Sequence, residues 1–517
     1  MKRKRGCALF FLLLIVGMFV MFAFNIPYSR LSNSPLPVNR ETTYLTGPLR
    51  ADGGVDYCKV INQRNGKPTA PENNAVVALL PVLRIEDSGS PRVHAARQKK
   101  LLAELQLASM PDQVPLIDVE SWLKQQADEN DVLFSSYGEY SEVAQPWKSA
   151  DYPEWSKAIH QIDRALDLVV AASDKPEYYL PLVEFVDGGT AYFGVPIDLN
   201  NFGKVIRGLR LRAMNSLCEE ETEDAISDIL ALRKMARHLS GTIDVMQRLL
   251  GNQFESTAVD CEEILLSSDQ LSPQQIANYL SEIEKTAAIH PSIKDIVELA
   301  RLDHLATLQG LHFNGTPPDS GFSNPEGQFI NVVTNTADLS WAMRYMNDLF
   351  DKFDEVVDIP DNDLALNELI KYEAETQQTS AAAVQKAFAA WRLVGGPVSR
   401  GKWLGQRFAF DQFLLLNLTA AGIVRTETQR HMIRIAFYCE KWRMDHEQYP
   451  TLEQLKSIDE ISDSLQLVIA RGAEYQRDKN GFRISNTNAP IRNRRMVKIS
   501  VDKIDREREL ELELQGN

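Results

Sequence analysis

Ala225-Ile226-Ser227-Asp228-Ile229-Leu230-Ala231-Leu232-Arg233-Lys234-Met235-Ala236-Arg237-His238-Leu239-Ser240-Gly241 is the stretch that decides the fold class. Ala225, Ile226, Ile229, Leu230, Ala236 and Leu239 recur at helical spacing, and Gly241 ends the pattern. Upstream, Ile206, Leu209, Ala213, Met214 and Leu217 line a second helix. Downstream, a third is expected from about Thr242 to Leu266, with Ile243, Met246, Leu250, Ala258, Cys261 and Leu265 on one side. Leu271-Ser272-Pro273-Gln274-Gln275-Ile276 then opens a fourth: Ser272 at the N-cap, Pro273 at N1, Gln275 at N3, and Leu271 placed to staple onto Ile276. Four helices joined by short turns predict a mainly α fold built as an antiparallel, repeat-like helical array. No fixed-period self-similarity or tetratricopeptide signature accompanies it.

Outward from this array, helical patterning is expected around 74–83, 95–106 and 115–126. It is also expected through 152–170, where Trp155, Ile159, Ile162, Leu166 and Val169 form one apolar stripe. Residues 176–198 gather β-branched and aromatic side chains around Asp187-Gly188-Gly189, which predicts a hairpin or extended insertion. Residues 312–338 read as a Gly/Pro/Asn-rich loop. Further helices are expected over 341–357, 363–377 and 381–393, and a long one over about 408–446. Thr451 and Gln454 form a second capping box, Lys479-Asn480-Gly481 marks a hairpin, and 506–515 is a charged tail.

The 18 uncharged residues Cys7–Phe24 cover ~27 Å as a helix, close to the ~30 Å of a bilayer core. No small-x-small cleavage pattern follows, so an uncleaved transmembrane anchor is expected, and Lys2, Arg3, Lys4 and Arg5 hold its N-terminus in the cytoplasm. The expected address is a bacterial cytoplasmic (inner) membrane, with the bulk of the chain extracytoplasmic. The division is then 1–24 tip and anchor, 25–50 stalk, 51–310 helical domain, 311–338 loop, 339–448 second helical group, and 449–517 a small C-terminal α/β unit with its tail. A net charge of −15 leaves no concentrated cationic surface for nucleic acid. Cys58, Cys218, Cys261 and Cys439 lack zinc or redox spacing. Cys218 and Cys261, on neighbouring helices, read as small buried hydrophobes or, in an oxidising compartment, as a disulfide.

Phe437, Trp442-Arg443-Met444-Asp445-His446 and Tyr449-Pro450-Thr451-Leu452-Glu453-Gln454-Leu455 together resemble the helix-exit segment of pseudopilin-like proteins. There a long helix ends in Tyr-Pro and a short helix precedes a small sheet. In that family the helix is continuous with the membrane span; here most of the chain intervenes, so a role in a pseudopilus is not carried over. The layout of basic tip, single span, helical ectodomain and Tyr449-Pro450-Thr451-Leu452 is similar to that of membrane-anchored helical proteins of planctomycete-type bacteria. They have no assigned activity, so the resemblance implies fold and address and no catalytic residue.

Candidate chemistry is sparse. Asp303-His304 with His312 lacks the i, i+4 spacing of strong helical metal pairs. Asp348, Asp351, Asp354 and Glu355 read as a solvated acidic ridge, and His446 beside Asp445 and Glu447 as a cation at a helix C-terminus. Gly396-Pro397-Val398-Ser399-Arg400-Gly401-Lys402 has phosphate-loop spacing, but Trp403 stands where Ser or Thr is needed, so it reads as a helix-to-helix loop. No nucleophile-elbow or Ser-x-x-Lys set is present. Trp147, Tyr152, Trp155, Tyr178 and Tyr179 are the candidate ligand or partner surface, against a reading as core packing. The expectation is a non-enzymatic interaction or scaffold module with a protein partner in the envelope and no cofactor or metal; the alternative is an envelope enzyme or a glycan- or peptide-binding protein.

Overall fold

The computed structural model describes residues 35–64, 69–85, 91–126, 142–187, 190–194, 197–242, 244–286, 293–314, 336–359, 363–372, 396–477, 481–486 and 497–502. The expected anchor at 7–24, most of the 312–338 loop, the helix at 381–393 and the tail at 506–515 lie outside the described residues. Among the described residues no helix is long and apolar enough to cross a membrane.

The fold is mainly helical. In chain order come α1 (Tyr57–Arg64), α2 (Ala75–Leu79), α3 (Pro91–Glu104), α4 (Val119–Gln126), α5 (Pro153–His160), α6 (Asp163–Ser173), β1 (Val183–Asp187) and β2 (Thr190–Gly194). The array follows as α7 (Asn200–Cys218), α8 (Thr222–Ser240), α9 (Val245–Ser267) and α10 (Pro273–Lys285). Then come α11 (Ile293–Asn314), α12 (Leu339–Val357), the long α13 (Pro397–His446), α14 (Leu452–Lys456), α15 (Ser462–Ala470), β3 (Ala473–Arg477), β4 (Gly481–Asn486) and β5 (Val497–Asp502). A further helical run spans 363–372.

Local chemistry sets the element starts. Ser272 and Gln275 cap α10 reciprocally, with Ser272 N–H donating to Gln275 Oε1 at 2.8 Å and Gln275 N–H to Ser272 Oγ at 3.3 Å. Thr451 and Gln454 do the same for α14. The stripe expected as one helix over 152–170 is buried as read, but the helix breaks between α5 and α6, where Ile162 N–H bonds Ile159 one residue short of the α-helical partner. On α9 the expected apolar face is buried at Ala258, Cys261 and Leu265 and partly at Leu250, but Met246 is 50% exposed and the inward side also takes in Gln247, Arg248, Glu255 and Glu262. Charged residues on the inward face are what an apolar count misreads.

Both expected hairpins form. β1 pairs antiparallel with β2, and β3 with β4. The C-terminal sheet has a third strand that the sequence pattern did not suggest, in the order β3-β4-β5.

Among the described residues the apolar side chains form two cores. The first runs from α2 through α10 and takes in the second half of α13 (Met432 to Cys439), α15 and the sheet residues Phe482 and Ile484. The second combines α1, α11, α12, 363–372 and the first half of α13 (Trp403 to Val424). The core boundaries therefore do not follow the chain-order divisions at 310 and 448. Residues 36–43, expected as stalk, are packed: Leu36, Thr42 and Thr43 are buried, and Asn347 Nδ2 donates to the carbonyls of Glu41 at 2.9 Å and Thr42 at 2.8 Å.

Gly401, in the stretch with phosphate-loop spacing expected as a helix-to-helix loop, lies instead in α13 one turn before Gly405, and both glycines meet α12 or its cap. A methyl group at Gly405 would stand 2.9 Å from Tyr345 Cβ and 3.0 Å from the Ala342 carbonyl, and one at Gly401 would collide with the Asp338 carbonyl. The glycines let the two backbones touch. Gly401→Ala is expected to lower stability in urea unfolding by about 1–3 kcal/mol, because overpacking outweighs the ~1 kcal/mol gain in helix propensity; an unchanged or raised midpoint would contradict this close crossing.

Candidate functional site

The five aromatic candidates do not form a shared open face. Trp147, Trp155 and Tyr179 are buried in the first core, and Tyr152 and Tyr178 are half-buried against it. Trp147 Nε1–H donates to the Leu211 carbonyl at 3.2 Å, and its ring meets Tyr152 edge-on at 6.2 Å. Tyr178 stacks on His238 and donates its hydroxyl to Gln247 Oε1 at 3.0 Å. Tyr179 is tied to Asn74 through its backbone. The Trp147 indole and the Tyr178 hydroxyl are thus satisfied inside the fold, and Tyr152 donates its hydroxyl to Glu142 Oε2 at 2.9 Å.

The most concentrated chemistry lies deeper. Arg233 on α8 is 2% exposed and forms ion pairs with Glu255 and Glu262 on α9, themselves 2% and 0% exposed. Tyr279 of α10 donates its hydroxyl to Glu262 Oε1 at 2.6 Å, and Arg430 of α13 donates to Glu255 Oε1 at 3.0 Å. Two cations and two anions balance. Burial alone would pull the Arg233 guanidinium down, and Glu255 with Glu262 overcome this and hold it above its ordinary value. A similar, more exposed joint links α7 and α8: Arg212 grips Asp228 in a bidentate pair at 2.8 and 2.9 Å and reaches Asp167 on α6 at 2.8 Å.

A polar group surrounds the start of α9. Asp244 caps it by accepting from Gln247 N–H at 2.8 Å, and Arg248 Nε–H donates to the Thr242 carbonyl. Burial pushes the Asp244 carboxyl up to about 6, with Asp303 adding to the shift, and burial likewise raises Asp303 to about 6. His238 is pulled down to about 4 by burial, so it is neutral at pH 7. Gln247 and Arg248, beside Asp244, are withdrawn from solvent, at 0% and 2% exposed.

The open cavity is elsewhere. A groove of about 450 Å³ lies between α13, α14, α15 and the C-terminal sheet. Its walls are Ile435, Leu452, Leu465, Val468, Ile469 and Ile484, with Ala473, Glu474, Tyr475 and Gln476 of β3 along one side. Tyr475 is anchored by its hydroxyl to the Pro450 carbonyl at 2.7 Å, and Arg471, in the turn before β3, bonds Glu427 at 2.7 Å and Asp363 at 2.8 Å. A smaller hollow of about 180 Å³ sits where α6, α8 and α10 end. There Lys234 and Lys285 pair with Asp174 and Glu282 and set positive charge against helix C-termini, which stabilises those ends without a ligand.

The remaining motifs resolve into structure. His304 and His312 both lie on α11 and are buried. Asp348, Asp351 and Glu355 are exposed on α12, as a solvated acidic ridge, and Asp351 and Asp354 also pair with Arg301, which is 1% exposed and lies 4.2 Å from the Tyr44 ring. His446 stacks on Trp442 at the end of α13. Cys218 and Cys261 are free thiols, the latter buried. Among the described residues no group of three His, Cys, Asp or Glu is placed to hold a metal ion. Comparison with protein families, with curated proteins and with solved structures finds no match for this chain.

Removing Arg233 alone leaves Glu255 with Arg430 and Glu262 with only the Tyr279 hydroxyl, one buried negative charge in excess, so Arg233→Met is expected to cost about 3–5 kcal/mol in urea unfolding. Replacing Arg233, Glu255 and Glu262 together by Met, Leu and Leu costs much less; equal losses would contradict the pairing. Asp244→Asn keeps a capping side chain but removes a titration. The folded carboxyl, at about 6 against an ordinary 3.8, holds its proton more tightly than the unfolded one. Its contribution is therefore full at low pH and lost as pH rises through about 6. Relative to the wild type, the variant is expected to gain stability between pH 4 and pH 7, and a pH-independent difference would overturn this.

Proposed function

We propose that this protein is a membrane-anchored, extracytoplasmic interaction module that docks a protein partner as an extended segment in the groove beside β3. The observation that carries the reading is the groove itself: an apolar trough whose long side is the edge strand of a sheet. An extended peptide gains backbone hydrogen bonds from such an edge and places alternate side chains in the trough. Among the described residues the outer edge of β3 makes no backbone hydrogen bond. Ile469, 43% exposed, adds apolar surface at the rim. The address rests on the uncharged run at 7–24 and the four cations before it.

The alternative, an envelope enzyme or glycan-binding protein, draws on the raised carboxyls of Asp244 and Asp303. The burial of Gln247 and Arg248 beside Asp244 makes the groove the stronger candidate.

A photo-crosslinking residue at position 469 of the full-length chain, expressed in its membrane, is expected to give one discrete protein adduct that the same residue at position 246 does not give. Adducts equal at both positions, or none, would contradict the reading. The chain is also expected to stay with the membrane through alkaline carbonate extraction and to be released when residues 2–24 are deleted; release of the intact chain would remove the anchor from the account.

A further inference from the structure

The edge strand beside the groove is complementary to itself. β3 reads Ala473-Glu474-Tyr475-Gln476-Arg477, with Ala473 and Tyr475 half-buried towards the helices and Glu474 and Gln476 exposed on the other face. We propose that the extended segment docked along the groove is β3 of a second copy of this chain, the two strands pairing antiparallel across a two-fold axis at Tyr475. The joined sheet then has the order β5-β4-β3-β3-β4-β5. The inference rests on the reading of the groove as a strand-accepting site, and it names the partner.

The pleat and the charges select this register. Opposed residues of an antiparallel pair share one face of the sheet. With the axis at Tyr475, Ala473 lies opposite Arg477 of the second copy, Glu474 opposite its Gln476, and Tyr475 opposite its Tyr475, so all five residues pair. A slip by one position sets inward side chains against outward ones. A slip by two leaves three pairs and, in one direction, sets Glu474 against Glu474 of the second copy, where like charges repel. The Tyr475 register avoids both, and it gives ~4–6 backbone hydrogen bonds together with an aromatic pair across the axis.

A strand pair alone is marginal in water, and the trough supplies apolar area in addition. Because opposed residues share a face, the helices of both copies lie on the same side of the joined sheet, and the troughs walled by Leu452, Leu465 and Val468 meet beneath the paired strands. Ile469, 43% exposed, stands four residues before β3 and so lies towards Arg477 of the second copy. The contact uses the same patch on both copies, as a closed two-fold dimer requires, and it covers an open edge that would otherwise template aggregation.

The test places the photo-crosslinking residue at position 469 in two differently tagged full-length chains expressed together in one membrane. The expected adduct has twice the mass of the chain and carries both tags. Gln476→Glu sets an acid against Glu474 of the second copy on both sides of the axis, and it is expected to lower the yield about tenfold. Glu474→Lys combined with Gln476→Glu sets opposite charges across the axis and is expected to restore the yield. Both side chains are exposed, and circular dichroism of each variant checks that the helical content is kept. A discrete adduct with a different protein would overturn the second copy and leave the groove as a strand acceptor. No adduct, or one equal to that at position 246, would end both readings. A two-tag adduct whose yield does not follow the two variants would overturn the pairing through β3.

Discussion

The Arg233 guanidinium, with Glu255 and Glu262 closed around it, is the constraint on which the helical array depends. Buried ion pairs contribute little net stability over an apolar core, because desolvation cancels most of the attraction. They are, however, intolerant of misplacement: a helix shifted by one turn leaves a charge unpaired in a dry interior. Arg233 thus fixes α8 against α9, Tyr279 fixes α10 through its bond to Glu262, and Arg430 brings the long α13 to Glu255. Apolar stripes of Leu, Ile and Ala would pack in several registers, and this network selects one.

Because Arg430 lies between the two apolar halves of α13, the same network organises the rest of the molecule. Trp403 to Val424 belong to one core and Met432 to Cys439 to the other. The second half of α13 also carries the groove. Its residue Ile435 forms one wall, and its last two turns hold Glu440, 1% exposed, which accepts from Tyr449 at 3.0 Å and pairs with Arg443. That closure turns the chain at Tyr449-Pro450 and sets α14 and the sheet over the helix.

Much of this was legible in the residues. The caps at Ser272 and Thr451 use hydrogen bonds between neighbours three positions apart, which sequence spacing describes fully. The stripes of α7 and α8 and both hairpins follow from local periodicity. The α9 face was legible at Ala258, Cys261 and Leu265, but its inward Glu255 and Glu262, held by Arg233 and Arg430 of other helices, were not, since no local pattern announces a charge that will be buried. Tyr178 and the two tryptophans looked like surface anchors, but their hydroxyl and indole groups are met by Gln247 and the Leu211 carbonyl or enclosed in the core. The groove was invisible for a related reason: its walls come from α13, α14, α15 and two strands, brought together only by the turn after His446.

The central claim is that α13 and its buried ion pairs make the two cores one cooperative unit. The most direct measurement is equilibrium urea unfolding followed by two single-tryptophan probes, one retaining Trp155 of the first core and one retaining Trp403 of the second. Coincident transitions with the same midpoint are the predicted result. Two separated transitions, with either core surviving the loss of the other, would contradict the account.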